Sequence, residues 1–221
     1  MRKILLTFAF VVLSGCLFAA EKSENYSALK AYKTAATAVP KAVATQLVRI
    51  VGENGRLHPL EWTVTFYDPS AAMDMRVVKV SRNEVLETDE PFAIFEQTNV
   101  GTCLNLQDIR LDSKDVINAI HRLCYDNKLP LYVVDIQLTK RQSGNVTPLW
   151  ICTLKNSRNN EFGKISVSAR TGKILETEGI VLTSDSRLRA EKSFGANVRD
   201  SVLGMGADME QFFTGKRTVD Q

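Results

Sequence analysis

Two segments of this chain have nearly the same pattern, and this repetition limits what the chain can fold into. One segment, PLEWTVTFYDPSAAMDMRVVKVSRNEVLE, spans residues 59–87, and the other, PLWICTLKNSRNNEFGKISVSARTGKILE, spans residues 148–176. Each has a tryptophan near its start, Trp62 or Trp150, and each ends in Leu-Glu. This repetition predicts that one small, strand-rich structural unit is used in both halves of the chain.

The composition is that of a globular protein, which excludes a chain that is disordered throughout. Of the 221 residues, 44% are hydrophobic and 24% are charged. The net charge is +3, but residues 1–20 hold Arg2, Lys3 and no acidic residue, which leaves 26 basic against 25 acidic residues. The remaining net charge of +1 gives no excess of basic residues that could bind a nucleic acid, so we expect no nucleic-acid partner.

The first 20 residues have the pattern of a bacterial export signal. Arg2 and Lys3 precede an apolar run over residues 4–12, and small residues follow. In all, about 12 apolar residues in this stretch fall short of the roughly 20 that a helix needs to span a bilayer. We therefore predict a signal that is removed, and not a retained membrane helix.

Residues 13–16, Leu-Ser-Gly-Cys, resemble the lipobox of bacterial lipoproteins, in which cleavage precedes the cysteine and its sulfur carries a diacylglycerol. On this resemblance Cys16 is the lipidation site, and the protein is exported and held at a membrane by its N-terminal lipid. The alternative is cleavage after Ala19 or Ala20, which would remove Cys16 and give a soluble secreted protein. We favour the lipoprotein because large residues before those alanines suit the ordinary signal peptidase poorly.

The remaining chain is predicted to alternate helices with short strands. In the first half we predict helices at 26–39 and, after Pro40, at 40–51, and then a strand in which Trp62, Val64 and Phe66 face the core. Further strands are expected at 78–80 and 85–86. The connector at 88–111 contains apolar residues, so we expect it to pack on the fold.

In the second half, Asp112 or Ser113 is expected to cap a helix. Strands are predicted at 131–139, 149–155, 163–168 and 174–175, with Thr171-Gly172 forming a tight turn. The apolar stripe of the helix consists of Val116, Ile117, Ile120, Leu123 and Cys124. Residues 180–189 are expected to be extended.

Beyond them, apolar residues recur at helical spacing, and we expect this helix to pack on the sheet of its own chain. A partner groove or a neighbouring protomer is the alternative. The stripe consists of Val198, Val202, Met205, Met209 and Phe212.

A helix followed by an antiparallel meander whose last strands read ISVSARTGKIL resembles the PepSY domain family. Residues 113–176 follow that family's order well. Residues 41–87 show no evident counterpart of the strand at 131–139 and have Arg-Asn-Glu at 82–84 where the family has Thr-Gly. The resemblance implies an α+β protein with two PepSY-like units, each a helix packed on a small antiparallel meander, and a C-terminal helix.

The resulting prediction has six segments. They are a signal peptide (1–20), an N-terminal tether and helix (21–40), a first PepSY-like repeat (41–87), a connector (88–112), a second repeat (113–178) and a C-terminal extension with an amphipathic helix (179–221).

No combination of residues in the sequence points to catalysis, a metal or a cofactor. His121 and Cys124 are neighbours on one helix, but a nucleophile pair needs a third, orienting group that the spacing does not supply. We expect Cys124 to face the sheet and His121 to lie at the edge of its stripe. His58 is expected to be a solvated loop residue, and two histidines in total exclude a histidine-rich metal site.

The other candidate residues have structural explanations. Cys152 is expected to be buried, and Cys103 and Cys124 either pair or stay free, since an odd number of thiols follows the signal. Trp62 and Trp150 are expected in the core, with stacking on a glycan or peptide as the alternative. We expect three acidic residues that were considered for acid catalysis to be solvated: Asp89, Glu90 and Asp185.

The predicted function is therefore a non-enzymatic, extracytoplasmic binding module of the bacterial cell envelope, with a protein or peptide partner. PepSY domains occur in propeptides of secreted metallopeptidases, so the resemblance implies modulation or inhibition of a secreted peptidase. The alternatives are a structural or assembly lipoprotein that scaffolds an envelope complex, and an enzyme of unrecognised type. The partner and the oligomeric state do not follow from the sequence.

Overall fold

Eight strands pair into one antiparallel sheet in the computed structural model, which describes residues 26–56, 58–90, 100–140 and 147–197. The strands are β1 (Leu47–Gly55), β2 (Glu61–Tyr67), β3 (Met75–Ser81), β4 (Glu84–Asp89), β5 (Val133–Lys140), β6 (Pro148–Lys155), β7 (Glu161–Ser168) and β8 (Ile174–Glu178). The helices are α1 (Ala28–Ala36), α2 (Lys41–Ala44), α3 (Ser113–Asp126) and α4 (residues 184–197). The α+β class predicted from the sequence is confirmed.

The strand order shows two four-stranded meanders that meet in the middle of the sheet. It is β4-β3-β2-β1-β5-β6-β7-β8, with β1 paired to β5. The helix α1 precedes the first meander, with the single turn of α2 between them, and α3 precedes the second. The order of a helix followed by four antiparallel strands thus occurs twice along the chain.

The two tryptophans occupy matching places on the second strand of each meander. Nε1 of Trp62 donates a hydrogen bond to the carbonyl of Tyr26 (3.2 Å), just before α1. Nε1 of Trp150 donates to the carbonyl of Leu111 (3.0 Å), just before α3. Both rings are buried, so the prediction that they belong to the core is confirmed.

The pairing between β1 and β5 is symmetric. Before the register shift that follows Gly52, three pairs are in continuous register: Ile50 with Leu138, Val51 with Gln137, and Gly52 with Ile136. The residue opposite the tryptophan of the same meander is Gly52 in β1 and Leu138 in β5. An approximate twofold axis therefore passes through the Val51–Gln137 pair and relates the two meanders.

The two edge strands, β4 and β8, have the same irregularity in their pairing with the neighbouring strand. A register shift occurs between β3 and β4 and again between β7 and β8. The extra residue is Leu86 in β4 and Leu175 in β8, which are 55% and 41% exposed. A glutamate follows each leucine, Glu87 or Glu176, so the repeated Leu-Glu of the sequence marks a β-bulge at each edge of the sheet.

The helices cover one face of the sheet, called here the covered face. Along each strand, every second side chain points to the covered face. In β2 these side chains are Trp62, Val64 and Phe66, which are buried, as predicted. On this face the ring of Tyr32 from α1 lies 6.1 Å from the ring of Phe66. Seven residues of α3 are buried: Ser113, Val116, Ile117, Ala119, Ile120, Leu123 and Cys124.

The N-termini of α1 and α3 are joined by hydrogen bonds. Asp112 caps α3, and one of its carboxylate oxygens accepts from the backbone N–H groups of Ser113 (2.7 Å) and Leu29 (3.3 Å). In return, Oγ of Ser113 accepts from the N–H of Ala28 (2.8 Å). Burial raises the pKa of Asp112, although hydrogen bonds from Ser27 and from these groups lower it. One carboxylate thus satisfies free N–H groups of two helices.

The second helix predicted in the first half, at 40–51, is wrong. Only Lys41–Ala44 is helical, and β1 begins at Leu47. A register shift follows Leu47, so that Leu47 and Ile50 are both buried although they are three residues apart. This bulge produces a helix-like spacing in a strand. The strand β1 is the counterpart of 131–139 that the first half was predicted to lack, and α1 is the helix that packs on β1 to β4.

The predicted extended segment at 180–189 is also wrong from residue 184 onward, where α4 begins. Ala190 and Phe194 lie four residues apart on α4 and are buried. The side chain of Asn127, at the end of α3, donates to Oγ of Ser186 (2.9 Å) and accepts from the N–H of Thr183 (3.1 Å). These contacts place the start of α4 at the end of α3.

Several predictions are confirmed and others lie outside the described residues. The helix from 113 and the strands of the second half occur as predicted, and the connector packs through the buried residues Leu104, Ile109 and Leu111. Outside the described residues lie the export signal with Cys16, part of the predicted connector (91–99) and the predicted helix beyond residue 197.

Candidate binding surface

The second face of the sheet, called here the far face, lies opposite the helices and differs from the covered face in chemistry. The register of the strands assigns alternate residues to it. The far face consists mainly of Arg49, Val51, Thr63, Thr65, Val77, Lys79, Asp135, Gln137, Thr139, Leu149, Ile151, Thr153, Lys164, Ser166 and Ser168. The described helices α1, α3 and α4 all pack on the covered face.

The middle of the far face is mildly apolar and uncharged. One row of paired residues crosses it from β2 to β6, namely Thr63, Val51, Gln137 and Ile151. All four side chains are half-buried. A partner that covers this row would displace its water without burying a charge. The centres of protein interfaces are likewise poor in charged residues.

Charged groups lie on both sides of the central row, with Arg49 in β1 and Asp135 in β5, and also at the edge of the sheet. Nζ of Lys79 lies 2.6 Å from Oε2 of Glu87, at the edge formed by β4. Lys155 pairs with Asp135 at one end of β5 and β6. The hydrogen bond to Glu87 raises the pKa of Lys79, so this lysine stays charged at all physiological pH values. An uncharged centre with a charged rim is the arrangement found in protein interfaces.

The far face is large enough for a protein partner. Eight strands spaced about 4.8 Å apart span about 34 Å, and a strand of six residues is about 20 Å long. The outline of the sheet is therefore roughly 700 Å², close to the roughly 800 Å² that each partner contributes to a standard protein interface. Within it Thr65, Leu149 and Ser168 are already buried.

The far face lacks the symmetry of the covered face. Equivalent positions on the covered face carry similar residues, such as the two tryptophans, or Ile50 and Ile136. Equivalent positions on the far face differ: Val51 corresponds to Gln137, and Lys79 corresponds to Ser166. A partner that covers the whole face therefore contacts two chemically different halves.

His121 and Cys124 line one pocket beside α3, together with Arg122, Tyr125, Leu129 and Leu131. Cys124 is 1% exposed and faces the sheet, and burial raises the pKa of its thiol to about 12. Burial also raises the pKa of Cys152, whose thiol lies close enough to Cys124 to add to that effect. Both thiols stay protonated at neutral pH and are therefore poor nucleophiles. All three cysteines of the described residues are free, so Cys103 and Cys124 do not pair.

The prediction for His58 is wrong, because His58 is half-buried and lies near His121. Desolvation lowers the pKa of His58, and the charges of His121 and Lys114 lower it further, while Asp112 opposes them. No signal in the sequence brings these two histidines together, since they are 63 positions apart. Their proximity follows from the position of the loop between β1 and β2 near α3.

The carboxylates considered for catalysis do not meet in one place. Asp89 belongs to β4, Glu90 pairs with Arg76 (3.0 Å), and Asp185 is exposed at the start of α4. A buried carboxylate is found instead at Asp68, which is 1% exposed. Burial alone would raise its pKa, but hydrogen bonds from Ser70 and Arg76 bring the pKa below its usual value. The carboxylate of Asp68 therefore stays ionised and is held by hydrogen bonds from Ser70 and Arg76, which indicates a structural role.

Across the described ranges, no group of three or more His, Cys, Asp or Glu side chains is arranged to hold a metal ion. No family model, curated protein or solved structure matches the chain. None of the helices in the described ranges has the length and apolarity needed to cross a membrane.

Proposed function

We propose that this protein is a non-enzymatic binding module of the bacterial cell envelope, built from two PepSY-like units and held at a membrane through lipid on Cys16. Its far face binds a folded protein or an extended peptide. The resemblance to PepSY domains makes a secreted peptidase the first partner to test, with inhibition or modulation as the outcome of binding.

The observation that carries this proposal is the continuity of the far face across both meanders. The pairing of β1 with β5 joins two small sheets into one surface of roughly 700 Å², which neither meander offers alone. The twofold occurrence of a helix followed by four antiparallel strands supports the two-unit interpretation. The uncharged central row supports a role in binding, because desolvating it costs little.

Photocrosslinking from single positions tests which face binds. We expect a photoreactive amino acid at Gln137, in the central row, to form a covalent adduct with an envelope protein in living cells. The matched control is Lys41, which is exposed on α2 at the helix side of the molecule. Adducts from Lys41 but not from Gln137, or from neither position, would contradict the proposal.

The identity of the adduct separates the two functional alternatives. A secreted peptidase that forms a stable one-to-one complex and loses activity supports an inhibitory role. A component of a membrane assembly, with no change in peptidase activity, favours the structural or assembly lipoprotein instead.

The anchor is tested by the intact mass of the protein extracted from membranes. We expect a chain that begins at Cys16 and carries acyl groups, since several chains at about 0.8 kcal/mol per buried methylene hold a protein firmly. A Cys16→Ala variant should lose the acyl mass and leave the membrane fraction. A lipid-free wild-type chain that begins at Ala20 or Glu21 would show that the protein is secreted in soluble form.

A further inference from the structure

The turn between α3 and β5 lies beside the pocket that His121 and Cys124 line, called here the α3 pocket. The N–H of Leu129 donates to the carbonyl of Cys124 (2.9 Å), and the N–H of Lys128 donates to the carbonyl of Tyr125 (3.1 Å). These bonds satisfy carbonyls that the end of a helix otherwise leaves free. The pocket has a volume of about 510 Å³, within the range of about 300 to 1,000 Å³ that is typical of sites for small organic molecules.

One part of the α3 pocket is apolar. Leu129 and Leu131 are partly buried and pack against the hydrophobic core, and Cys124 is 1% exposed. Tyr125 lines the same pocket and is 84% exposed, so most of its ring is open to solvent. An apolar group that entered the pocket would contact the two leucines and cover part of this ring.

The charged group of the α3 pocket is Arg122. Its side chain is exposed, and in the described parts of the chain it forms no ion pair. Asp126, one helical turn farther along α3, lies 4.0 Å from Arg189 instead. Burial lowers the pKa of His121, so its ring is neutral at pH 7. The carbonyls at the end of α3 that already accept hydrogen bonds leave little negative charge to oppose an anion.

We propose that the α3 pocket binds the C-terminal residue of a peptide, with its carboxylate paired to Arg122 and its aliphatic side chain against Leu129 and Leu131. The planar fork of a guanidinium matches the two oxygens of a carboxylate. The α3 pocket is separate from the far face, because α3 packs on the covered face. This binding is therefore independent of the proposed function.

A fatty acid combines the same two groups, a carboxylate and an aliphatic chain. A long acyl chain needs a long apolar channel, however, and the apolar part of the α3 pocket consists of two leucines, one cysteine and one exposed tyrosine. The short apolar wall therefore favours the side chain of one or two residues over an acyl chain.

Titration followed by NMR tests the α3 pocket. The probe is the dipeptide N-acetyl-leucyl-leucine, added to isotope-labelled protein. We expect saturable shifts in the backbone signals of residues 121–131, and unchanged signals in β3, which belongs to the other meander. If residues 121–131 show no saturable shift up to the solubility limit of the dipeptide, the proposal is wrong.

Two arginine variants test the pairing of the carboxylate. Arg122→Gln should weaken binding of the dipeptide about fivefold or more, because it removes a charge-assisted hydrogen bond. Arg158→Gln is the matched control, since it removes the same charge from an exposed arginine in the turn between β6 and β7, and it should leave the affinity unchanged. Equal weakening in both variants, or full affinity in Arg122→Gln, would overturn the proposal.

Three further ligands define the chemistry of the bound group. The amidated dipeptide lacks the carboxylate and should bind about fivefold more weakly than the acid, yet as well as the acid in Arg122→Gln. N-acetyl-glycyl-glycine keeps the carboxylate without the aliphatic side chains and should give no saturable shift. Octanoate represents a free fatty acid and should bind more weakly than the dipeptide. An amide, a glycine peptide or octanoate that binds wild type as tightly as N-acetyl-leucyl-leucine would overturn the assignment to a peptide C-terminus.

Discussion

Replacing Trp150 with alanine should destabilise the protein by about 4 kcal/mol or more. The ring is fully buried, and truncating a buried tryptophan typically costs about 3 to 5 kcal/mol. The change also removes the hydrogen bond to the carbonyl of Leu111, and an unsatisfied buried carbonyl costs about 1 to 3 kcal/mol unless water reaches it. Urea denaturation at equilibrium measures this loss.

The remaining tryptophan makes this experiment a test of the whole sheet. In Trp150→Ala, fluorescence comes from Trp62 in the other meander, and its transition should move to the same lower urea concentration as the circular dichroism signal. Trp150→Phe is the control, because it keeps most of the apolar ring and should lose less stability. A transition of Trp62 that keeps its wild-type midpoint would mean that the two meanders unfold separately.

Replacing Gly172 with valine should destabilise the protein by about 3 kcal/mol and loosen α4. The φ angle of Gly172 is +72°, a region that costs a non-glycine residue about 1 to 3 kcal/mol. A Cβ atom there would also lie 2.3 Å from Cβ of Phe194, so α4 would have to shift. Overpacking of this kind adds about 1 to 3 kcal/mol.

The matched control for Gly172 is Gly195, which lies in α4. A Cβ atom added at Gly195 would meet no other atom within 4 Å. Gly195→Ala should therefore leave stability unchanged or raise it by up to about 1 kcal/mol, since alanine is the better helix former. In thermal unfolding, the midpoint temperature should fall clearly for Gly172→Val and should stay unchanged or rise for Gly195→Ala. A Gly172→Val variant as stable as wild type would refute the close packing of α4 on this turn.

The sequence predicted most of the second half correctly because its signals there are local. Trp150, Cys152 and Leu154 alternate without interruption in β6, and Asp112 precedes a clear apolar stripe in α3. The strand β1 could not be predicted in this way. Its register shift after Leu47 breaks the alternation, and its pairing with β5 is a contact between distant parts of the chain.

The candidate sites depended even more on contacts between distant segments. The burial of Cys124 followed from its place on the helix stripe, but the half-buried state of His58 depends on a loop meeting α3. The far face was not predictable either, because its extent requires that the two meanders join edge to edge. Periodicity predicts which residues of a strand share a face, but not which strand lies beside it.

The bulges in β4 and β8 have a consequence for how copies of the protein behave when they are crowded together. An open sheet has two edges whose free N–H and C=O groups can recruit further strands. Here each edge is bent by a bulge and carries glutamates, and β4 is exposed along its whole length with three acidic residues, Glu84, Glu87 and Asp89. Edge-to-edge contact between copies would bring like charges together. The edges of the sheet thus oppose fibre-like growth, even at high local concentration.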